Sequence, residues 1–175
     1  MHMVYWDGVF NYSAINNYGA TFAKGEYILL LSQYIEFQGK KDLEQLLANC
    51  QREKIGVVGA RSYYRNHTIR HAGIGIGGEK FSYRLFEGLP NMCKGYMHRE
   101  ALQQELSAVS MECMMLRKSL LEQIDGFDDK LGDEFAAIDF LPASERKTIS
   151  SFVRSDSCVC GIMLPMIKNV SRQRV

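Results

Sequence analysis

Residues Phe10 to Glu36 read FNYSAINNYGATFAKGEYILLLSQYIE, and this pattern predicts a helix followed by a buried strand. Ser13 is a suitable residue for the N-cap of the helix, because its hydroxyl can accept a hydrogen bond from a backbone N–H of the first turn. Ile15, Tyr18 and Phe22 then recur at helical spacing. The first half of the stretch therefore predicts a helix with a single apolar stripe.

The second half contains residues that end this helix, and after them a predicted strand. Lys24 and Gly25 provide a cation for the last turn and a residue that tolerates a left-handed conformation after it. Tyr27 to Leu31 is apolar without alternation, as in a strand that is covered on both faces. Ligands of open α/β sheets lie just beyond the carboxyl ends of such strands. The polar segment Ser32 to Glu36 is therefore the first candidate for a binding site.

The rest of the chain predicts further helices and strands that would complete an α/β sheet. The apolar residues of the clearest amphipathic helix are Leu43, Leu46, Leu47 and Cys50, at positions i, i+3, i+4 and i+7. The predicted elements are a helix at 41–52, a buried strand at 55–60, a hairpin at 61–64 and 68–76, a strand at 107–116 and a helix at 117–124 that Asp125 and Gly126 end.

Two short patterns within the predicted hairpin resemble functional motifs. Gly73, Gly75 and Gly78 have the spacing G-x-G-x-x-G, but a dinucleotide-binding loop must open a helix, and residues 79–83 do not. A glycine-rich strand end is therefore preferred. His67 and His71 have the i, i+4 spacing of zinc ligands on a helix, but a hairpin does not bring such residues together. A hydrogen-bonded structural role is preferred for His71.

Composition limits the classes of function that need to be considered. The chain has 175 residues, of which 46% are hydrophobic and 23% charged, as in ordinary globular domains. Lys plus Arg (21) nearly balance Asp plus Glu (20), so no strong field favours nucleic acid as a partner. No apolar run approaches the roughly 20 residues of a membrane-spanning helix, and no signal peptide opens the sequence. We expect a cytoplasmic chain, free or peripheral at the inner face of the membrane, with five cysteines as buried free thiols.

Two blocks of the sequence resemble family 2 glycosyltransferases of the polysaccharide, rhamnan-type branch. Phe10 to Glu36 is similar to the family pattern FNYSAINNxGxxxAKGEYLLLLNNDIEV, and Ser107 to Asp129 to SAVTxACMLVRRSVFEEVGGFDE, with Glu112 in place of a small residue. The resemblance implies an α/β fold of the GT-A type, a mixed sheet with flanking helices. It also implies a partial GT-A domain at residues 1–140, in which the N-terminal βαβ half is missing.

The same resemblance implies which residues would contact substrates. In the family, an aspartate at the position of Tyr34 holds Mn²⁺ or Mg²⁺, but a phenol is a poor ligand for a hard cation, so no metal site is assigned. For the segment that contains Tyr96, His98 and Arg99, the alternative to a contact with the acceptor is a solvated loop. The implied contacts with the donor sugar or its diphosphate are Asn17, Ser32, Gln33, Tyr34 and Glu36, and those with the acceptor are Tyr96, His98 and Arg99.

The catalytic segment and the C-terminal tail depart from the family pattern. The general base of the family falls on Ala137, and Asp139 is the candidate to replace it, with orientation of a helix or capping of a turn as its alternative role. The resemblance ends abruptly after Phe140. We hypothesise that a one-base insertion near this codon shifted the reading frame. Residues 141–175 would then be a divergent tail, which we expect to be disordered or loosely packed.

Intact relatives of this type transfer a sugar from a nucleotide-sugar donor to a glycan acceptor with inversion. Because the metal aspartate and the base are replaced, the resemblance implies a catalytically impaired transferase, and whether this chain is an enzyme stays open. The alternative is a non-catalytic binding or assembly partner, which associates with itself or with another glycosyltransferase chain. A further alternative is the product of a fragmented gene.

Overall fold

The computed structural model describes residues 3–37, 39, 41–53, 55–78, 81–91, 97, 99, 102–131, 150–153 and 158–160. This described part is a mixed α/β structure, rich in strands, and none of its helices is long and apolar enough to cross a membrane. Its helices are α1 (Tyr12–Thr21), α2 (Asp42–Cys50) and α3 (Lys118–Gln123). Its strands are β1 (Tyr27–Leu31), β2 (Ile35–Phe37), β3 (Val57–Ala60), β4 (Ser62–Tyr63), β5 (Ile69–His71), β6 (Ile74–Ile76), β7 (Ser82–Arg84), β8 (Glu105–Leu106), β9 (Cys113–Arg117), β10 (Ser150–Val153) and β11 (Cys158–Cys160).

The strands form one central sheet and two smaller ones. The central sheet has the order β1-β9-β3-β10-β8, in which β9 runs antiparallel to both of its neighbours and β10 runs parallel to β3. A second sheet has the order β2-β11-β4-β5, and β6 pairs with β7 as a hairpin. A mixed sheet with flanking helices, which the resemblance implies, is therefore present in the described residues.

Strand β1 occupies the predicted residues, and both of its faces pack against apolar clusters as its unbroken apolar run predicts, except that Leu31 at its end is 44% exposed. Ile28 and Leu30 belong to one buried cluster, which α3 also joins through Leu120 and Leu121. Tyr27 and Leu29 pack on the other face, against a second cluster. This second cluster contains Leu46 and Cys50 of α2, Val58 of β3, and Met115 of β9.

The boundaries of α1 differ from those predicted. Its N-cap is Asn11, whose Oδ1 accepts a hydrogen bond of 2.9 Å from the N–H of Ala14, so the assignment of Ser13 is wrong by two residues. The Asn11 side chain also donates to the backbone carbonyl of Asp129, a tertiary contact that the local sequence does not reveal. The helix ends at Thr21, and Gly25 is not in a left-handed conformation.

The predicted apolar stripe of α1 does not face the core. Tyr18 and Phe22 are both exposed, and they form a row of aromatic rings with Trp6, with centroid distances of 5.5 and 5.1 Å. Instead, Tyr12 and Ala20 pack against the buried cluster of β1. Periodicity thus identified the helix but not its buried side.

Helix α2 buries the predicted stripe only in part. Leu46 and Cys50 are fully buried, whereas Leu43 in the first turn is 47% exposed. Burial raises the pKa of the Cys50 thiol to about 11, and this effect outweighs the lowering of the pKa by the positive charge of Arg117. This thiol is therefore protonated at neutral pH. Cys50 and Cys113 are buried free thiols, as predicted.

The glycine-rich segment is the end of a strand hairpin and not the start of a helix. Strand β6 pairs with β7, and Gly77 and Gly78 adopt positive φ angles of 130° and 76° at the turn between them. The preference over a dinucleotide-binding loop is therefore confirmed. Asp125 and Gly126, with φ of 61° and 88°, end α3 as predicted.

Two strands, β10 and β11, lie within the predicted tail. Strand β10 pairs with β3 on one side and β8 on the other, and β11 pairs with β2 and β4. These positions satisfy backbone groups that would otherwise form open sheet edges. The backbone of these residues therefore belongs to the sheets, which differs from the expected disordered or loose tail. The domain boundary at 140 and the shifted reading frame stay hypotheses.

Candidate functional site

A cavity of about 1030 Å³ lies beyond the carboxyl end of β1, where the sequence predicts a binding site. Its walls come from the start of α1, the segment that follows β1, the hairpin of β6 and β7, and residues 110–112 ahead of β9. The walls contain aromatic and aliphatic side chains together with several polar groups, and ligand pockets commonly combine the two. The aromatic residues are Phe10, Tyr12, Tyr34 and Tyr83.

Three of the five predicted donor contacts line this cavity. Ser32, Gln33 and Tyr34 form the tight segment between β1 and β2, in which the N–H of Ile35 donates to the Ser32 carbonyl over 3.0 Å. Glu36 is an exposed residue of β2 and does not line the cavity. Their contacts with a donor stay predictions.

Asn17 also lies outside the cavity, and its amide has structural partners. Its Nδ2 donates to the carbonyl of Phe127 over 2.8 Å, and its Oδ1 accepts from the Phe127 N–H over 2.9 Å. Gly126 lies so close that an added Cβ would come within 2.7 Å of the Asn17 Oδ1. This residue therefore joins α1 to the turn after α3, and its predicted role as a donor contact has no support from its position.

The predicted acceptor and base positions fall mainly outside the described residues. These are Tyr96, His98, Ala137 and Asp139. Arg99 is described, and it is exposed, with its Nε donating to Gln104 Oε1 over 3.2 Å. It does not line the cavity.

The segment at 110–112 brings a carboxylate to the cavity wall. The N–H of Ser32 donates to the carbonyl of Glu112 over 2.7 Å, and the hydroxyl of Tyr12 donates to the carbonyl of Met111 over 3.2 Å. The N–H of Glu112 in turn donates to Ser110 Oγ over 3.3 Å. Both α1 and the end of β1 therefore fix the backbone from which the Glu112 side chain projects.

Glu112 forms a charged cluster with two residues of β5. Its Oε1 accepts a short hydrogen bond from Arg70, and its Oε2 lies 3.7 Å from the Nε2 of His71. The exposed fractions of the three side chains are 30% for Glu112, 12% for Arg70 and 5% for His71. This cluster is thus largely withdrawn from solvent, although Glu112 and His71 both line the cavity.

The environment changes the ionisation of both Glu112 and His71. Burial lowers the pKa of His71 below its ordinary value of 6.5, with Arg70 and Arg84 acting in the same direction against Glu112. Burial by itself would raise the pKa of Glu112, but the contacts with His71 and Arg70 outweigh it, so this pKa lies below its ordinary value of 4.5. At neutral pH, Glu112 is therefore a carboxylate and His71 a neutral imidazole.

We expect the free energy of unfolding to fall as the pH drops below 6.5, with a further fall below 4.5. Because the pKa of His71 is lower in the folded chain, the unfolded chain takes up this proton first, and the same holds for Glu112 at lower pH. The slope from one such proton approaches but does not exceed about 1.4 kcal/mol per pH unit.

Urea unfolding at several pH values between 7.5 and 5 measures this slope. The variant His71→Gln should flatten it, whereas His67→Gln, at an exposed turn position, should leave it unchanged. An equal slope in His71→Gln and the unsubstituted chain would contradict the assignment to His71.

The described cavity residues do not fit a site for Mn²⁺ or Mg²⁺. Such cations prefer several carboxylate or carbonyl oxygens, and Ser32, Gln33 and Tyr34 provide no carboxylate. The two carboxylates that line the cavity, Glu87 and Glu112, each pair with an arginine, Arg84 and Arg70. Within the described ranges, no group of three or more His, Cys, Asp or Glu is placed to hold a metal ion. The metal implied by the resemblance therefore stays a prediction, and no chemical step is assigned to it here.

Sequence reasoning missed most of the charged residues of this cavity. Arg84 and Glu87 enter it from β7 and the turn after it, and their side chains pair at 3.4 Å. His71 was assigned a hydrogen-bonded structural role, yet neither of its ring nitrogens has a hydrogen-bond partner within the described residues. The sequence contained one signal for these charged residues, namely Glu112, which stands where the family pattern over Ser107 to Asp129 has a small residue.

The described residues form a mixed α/β structure with a cavity at the end of strand β1. The chain is 35% identical over 127 residues to the O-antigen biosynthesis protein RfbC of Myxococcus xanthus. It is also 34% identical over 133 residues to the uncharacterized protein y4gI of Sinorhizobium fredii (strain NBRC 101917 / NGR234). No family model matches the chain.

Both relatives are much longer than the region of similarity. The alignment with RfbC covers 71% of this chain and 10% of that protein, and the alignment with y4gI covers 74% of this chain and 14% of that protein. The similarity therefore concerns one segment of each relative.

Proposed function

We propose that this chain is part of a glycosyltransferase domain of glycan biosynthesis, and that the cavity beyond β1 binds a nucleotide sugar. The observation that carries this proposal is the position of Ser32, Gln33 and Tyr34, which line the cavity at the carboxyl end of a buried strand. The similarity to an O-antigen biosynthesis protein supports a sugar as the ligand.

Binding without efficient transfer is the activity we propose. Inverting transfer needs a base near the attacking hydroxyl, and the family position of that base holds Ala137. It also needs a cation at the leaving diphosphate. The cavity has one such group in the guanidinium of Arg84, whose side chain is 37% exposed and next to Glu87.

Calorimetry with a panel of UDP-, GDP- and dTDP-linked sugars tests this proposal. We expect saturable binding to the full chain, and a binding constant that Arg84→Gln lowers about tenfold, because a charged hydrogen bond to a phosphate contributes about 1.5–3 kcal/mol. The matched control is Arg65→Gln, at an exposed turn position away from the cavity. Titrations with and without Mn²⁺ test whether binding depends on a metal.

The absence of saturable binding for every nucleotide sugar, with and without Mn²⁺, would refute the proposed function. Equal weakening by Arg84→Gln and Arg65→Gln would refute the assignment of the diphosphate to Arg84. A coupled assay for release of the nucleoside diphosphate measures turnover, which we expect to be far below that of an intact transferase.

An assembly role is a second candidate, and the exposed residues ahead of α1 favour it. Tyr5, Val9 and Phe10 are 77%, 90% and 76% exposed. Apolar surface of this kind is typical of protein–protein contacts when it is contiguous. Size-exclusion chromatography with light scattering tests this role, and a monomer at all concentrations would argue against self-association.

A further inference from the structure

The ring of Tyr83 lies flat on the backbone of Gly75, its partner across the hairpin of β6 and β7. A Cβ added to Gly75 would come within 2.5 Å of the Tyr83 Cζ, 2.7 Å of its Cε2 and 2.8 Å of its hydroxyl oxygen. Cε2 and the hydroxyl oxygen are both bonded to Cζ, yet Cζ is the nearest of the three atoms. The Cβ direction of Gly75 therefore meets the face of the ring and not its edge, so a side chain larger than glycine would displace the ring.

Backbone hydrogen bonds hold this hairpin against the rest of the fold. The N–H of Ile74 donates to the carbonyl of Ala108 over 3.0 Å, which joins β6 to the segment ahead of β9. The N–H of Leu85 donates to the carbonyl of Gly73 over 3.0 Å and continues the pairing beyond the two strands. The position of the Tyr83 ring is therefore set by the fold.

The second face of the Tyr83 ring is accessible from the cavity. Tyr83 lines the cavity and is 51% exposed, although the backbone of Gly75 covers one face of its ring. The accessible surface therefore belongs to the other face and the edges of the ring. A ligand that covers this face would remove apolar surface from water without any change in the position of the ring.

The chemistry of this wall favours a sugar ring as the ligand. The face of an aromatic ring is electronegative, so it attracts C–H groups, and one side of a pyranose ring presents several of them. Glu87 lines the same cavity with a side chain that is 45% exposed. A carboxylate accepts hydrogen bonds from the hydroxyls at the rim of a sugar, whereas it repels the carbonyl oxygens of a base such as uracil.

We propose that the exposed face of Tyr83 is a stacking platform for the pyranose ring of a sugar ligand, and that Gly75 positions this platform. The choice of a sugar rests on the proposed function. The platform adds to that function a subsite for the sugar itself, separate from the guanidinium of Arg84 that would face the diphosphate.

NMR titration of the full chain with methyl glycosides tests the platform without a nucleotide. The probes are the methyl glycosides of glucose, galactose, mannose and rhamnose. The ring signals of Tyr83 should shift and saturate with at least one of them. The ring signals of Tyr18, an exposed tyrosine of α1 outside the cavity, should not respond.

Variants of the platform separate stacking on the ring face from other contacts. Tyr83→Ala should weaken the binding of the glycoside about tenfold, because the stacked face is lost. Tyr83→Phe keeps the face and should bind within about twofold of the unsubstituted chain. Tyr18→Ala removes a ring outside the cavity and should leave the binding unchanged.

Gly75→Ala tests the platform with the ring of Tyr83 still present. Gly75 does not have a positive φ, and the three atoms nearest to its added Cβ all belong to Tyr83. We therefore expect alanine to displace the ring and to weaken the glycoside. Backbone spectra show which variants remain folded, and Gly75→Ala provides the test if Tyr83→Ala does not fold.

The outcomes distinguish this proposal from the proposed function. If nucleotide sugars bind Tyr83→Ala or Gly75→Ala as tightly as the unsubstituted chain, the platform is refuted and the proposed function stands. If glycosides bind in a Tyr83-dependent manner but nucleotide sugars bind no more tightly than glycosides, the platform stands and the nucleotide-sugar function is refuted. If Tyr83→Ala weakens UMP or GMP as much as the corresponding nucleotide sugar, the ring stacks on the base and the sugar platform is refuted.

Discussion

Leu116→Ala is expected to lower the free energy of unfolding by about 3 kcal/mol, within the range of 2–5 kcal/mol for such core truncations. Leu116 is fully buried in β9, opposite Ile28 of β1 and Val57 of β3. Its side chain therefore lies where three strands of the central sheet meet. Removing three carbon atoms leaves a cavity that the paired strands cannot close without losing their register.

Leu43→Ala is the matched control for this substitution. The same atoms are removed, but Leu43 is 47% exposed in the first turn of α2, so the expected change is within about 0.5 kcal/mol. Urea unfolding followed by circular dichroism measures both variants. Similar effects of the two substitutions would contradict the central position of β9.

Gly59→Ala is expected to destabilise the chain by about 1–3 kcal/mol, although alanine is the smallest possible addition. Gly59 lies in β3, paired with Met114 of β9 and Phe152 of β10. A Cβ at this position would come within 2.5 Å of the Cβ of Val109 and 2.8 Å of its Cγ1. A Cβ atom is fixed to its backbone, so relief of this contact requires the backbone itself to move.

A second substitution at Val109 tests this cause directly. In Gly59→Ala/Val109→Gly the clashing Cβ is gone, so the double variant should lose less stability than the sum of the two single variants. Gly19→Ala is the control, because nothing lies within 4 Å of its added Cβ and alanine favours a helix by up to about 1 kcal/mol. Additive losses in the double variant would exclude the contact with Val109 as the cause.

Patterns that depend on neighbours in the sequence predicted the elements well. The run from Tyr27 to Leu31 predicted β1 at its observed residues, because continuous apolar character requires cover on both faces. Asp125 and Gly126 predicted the end of α3, because both residue types tolerate positive φ.

Features of the fold that depend on contacts between residues far apart in sequence were predicted less well. Asn11 was not recognised as the N-cap of α1, and its additional bond to the carbonyl of Asp129 spans 118 positions. The side of α1 that faces the core was also wrong, because the packing of Tyr12 on the β1 cluster determines it rather than the spacing of apolar residues.

The candidate site shows the same division. The polar end of β1 indicated a binding site from its place in the sequence alone, and Ser32, Gln33 and Tyr34 do line the cavity. No local pattern indicated that Glu112 would contact Arg70 and His71, some forty residues earlier in the chain. For Asn17 the resemblance implied a contact with the donor, whereas in the fold its side chain forms a hydrogen bond with the backbone of Phe127.

The sequence by itself determined the strand β1, the polar segment after it, the glycine-rich strand end before Gly78 and the turn at Gly126, because local backbone sterics and burial periodicity act over a few residues. The tertiary structure alone decided which charged groups share the cavity. The pairing of β9 with β1 carries Glu112 to the end of β1, and the pairing of β4 with β5 carries His71 to the same wall. Contacts of this kind join residues far apart in sequence, and no local pattern records them.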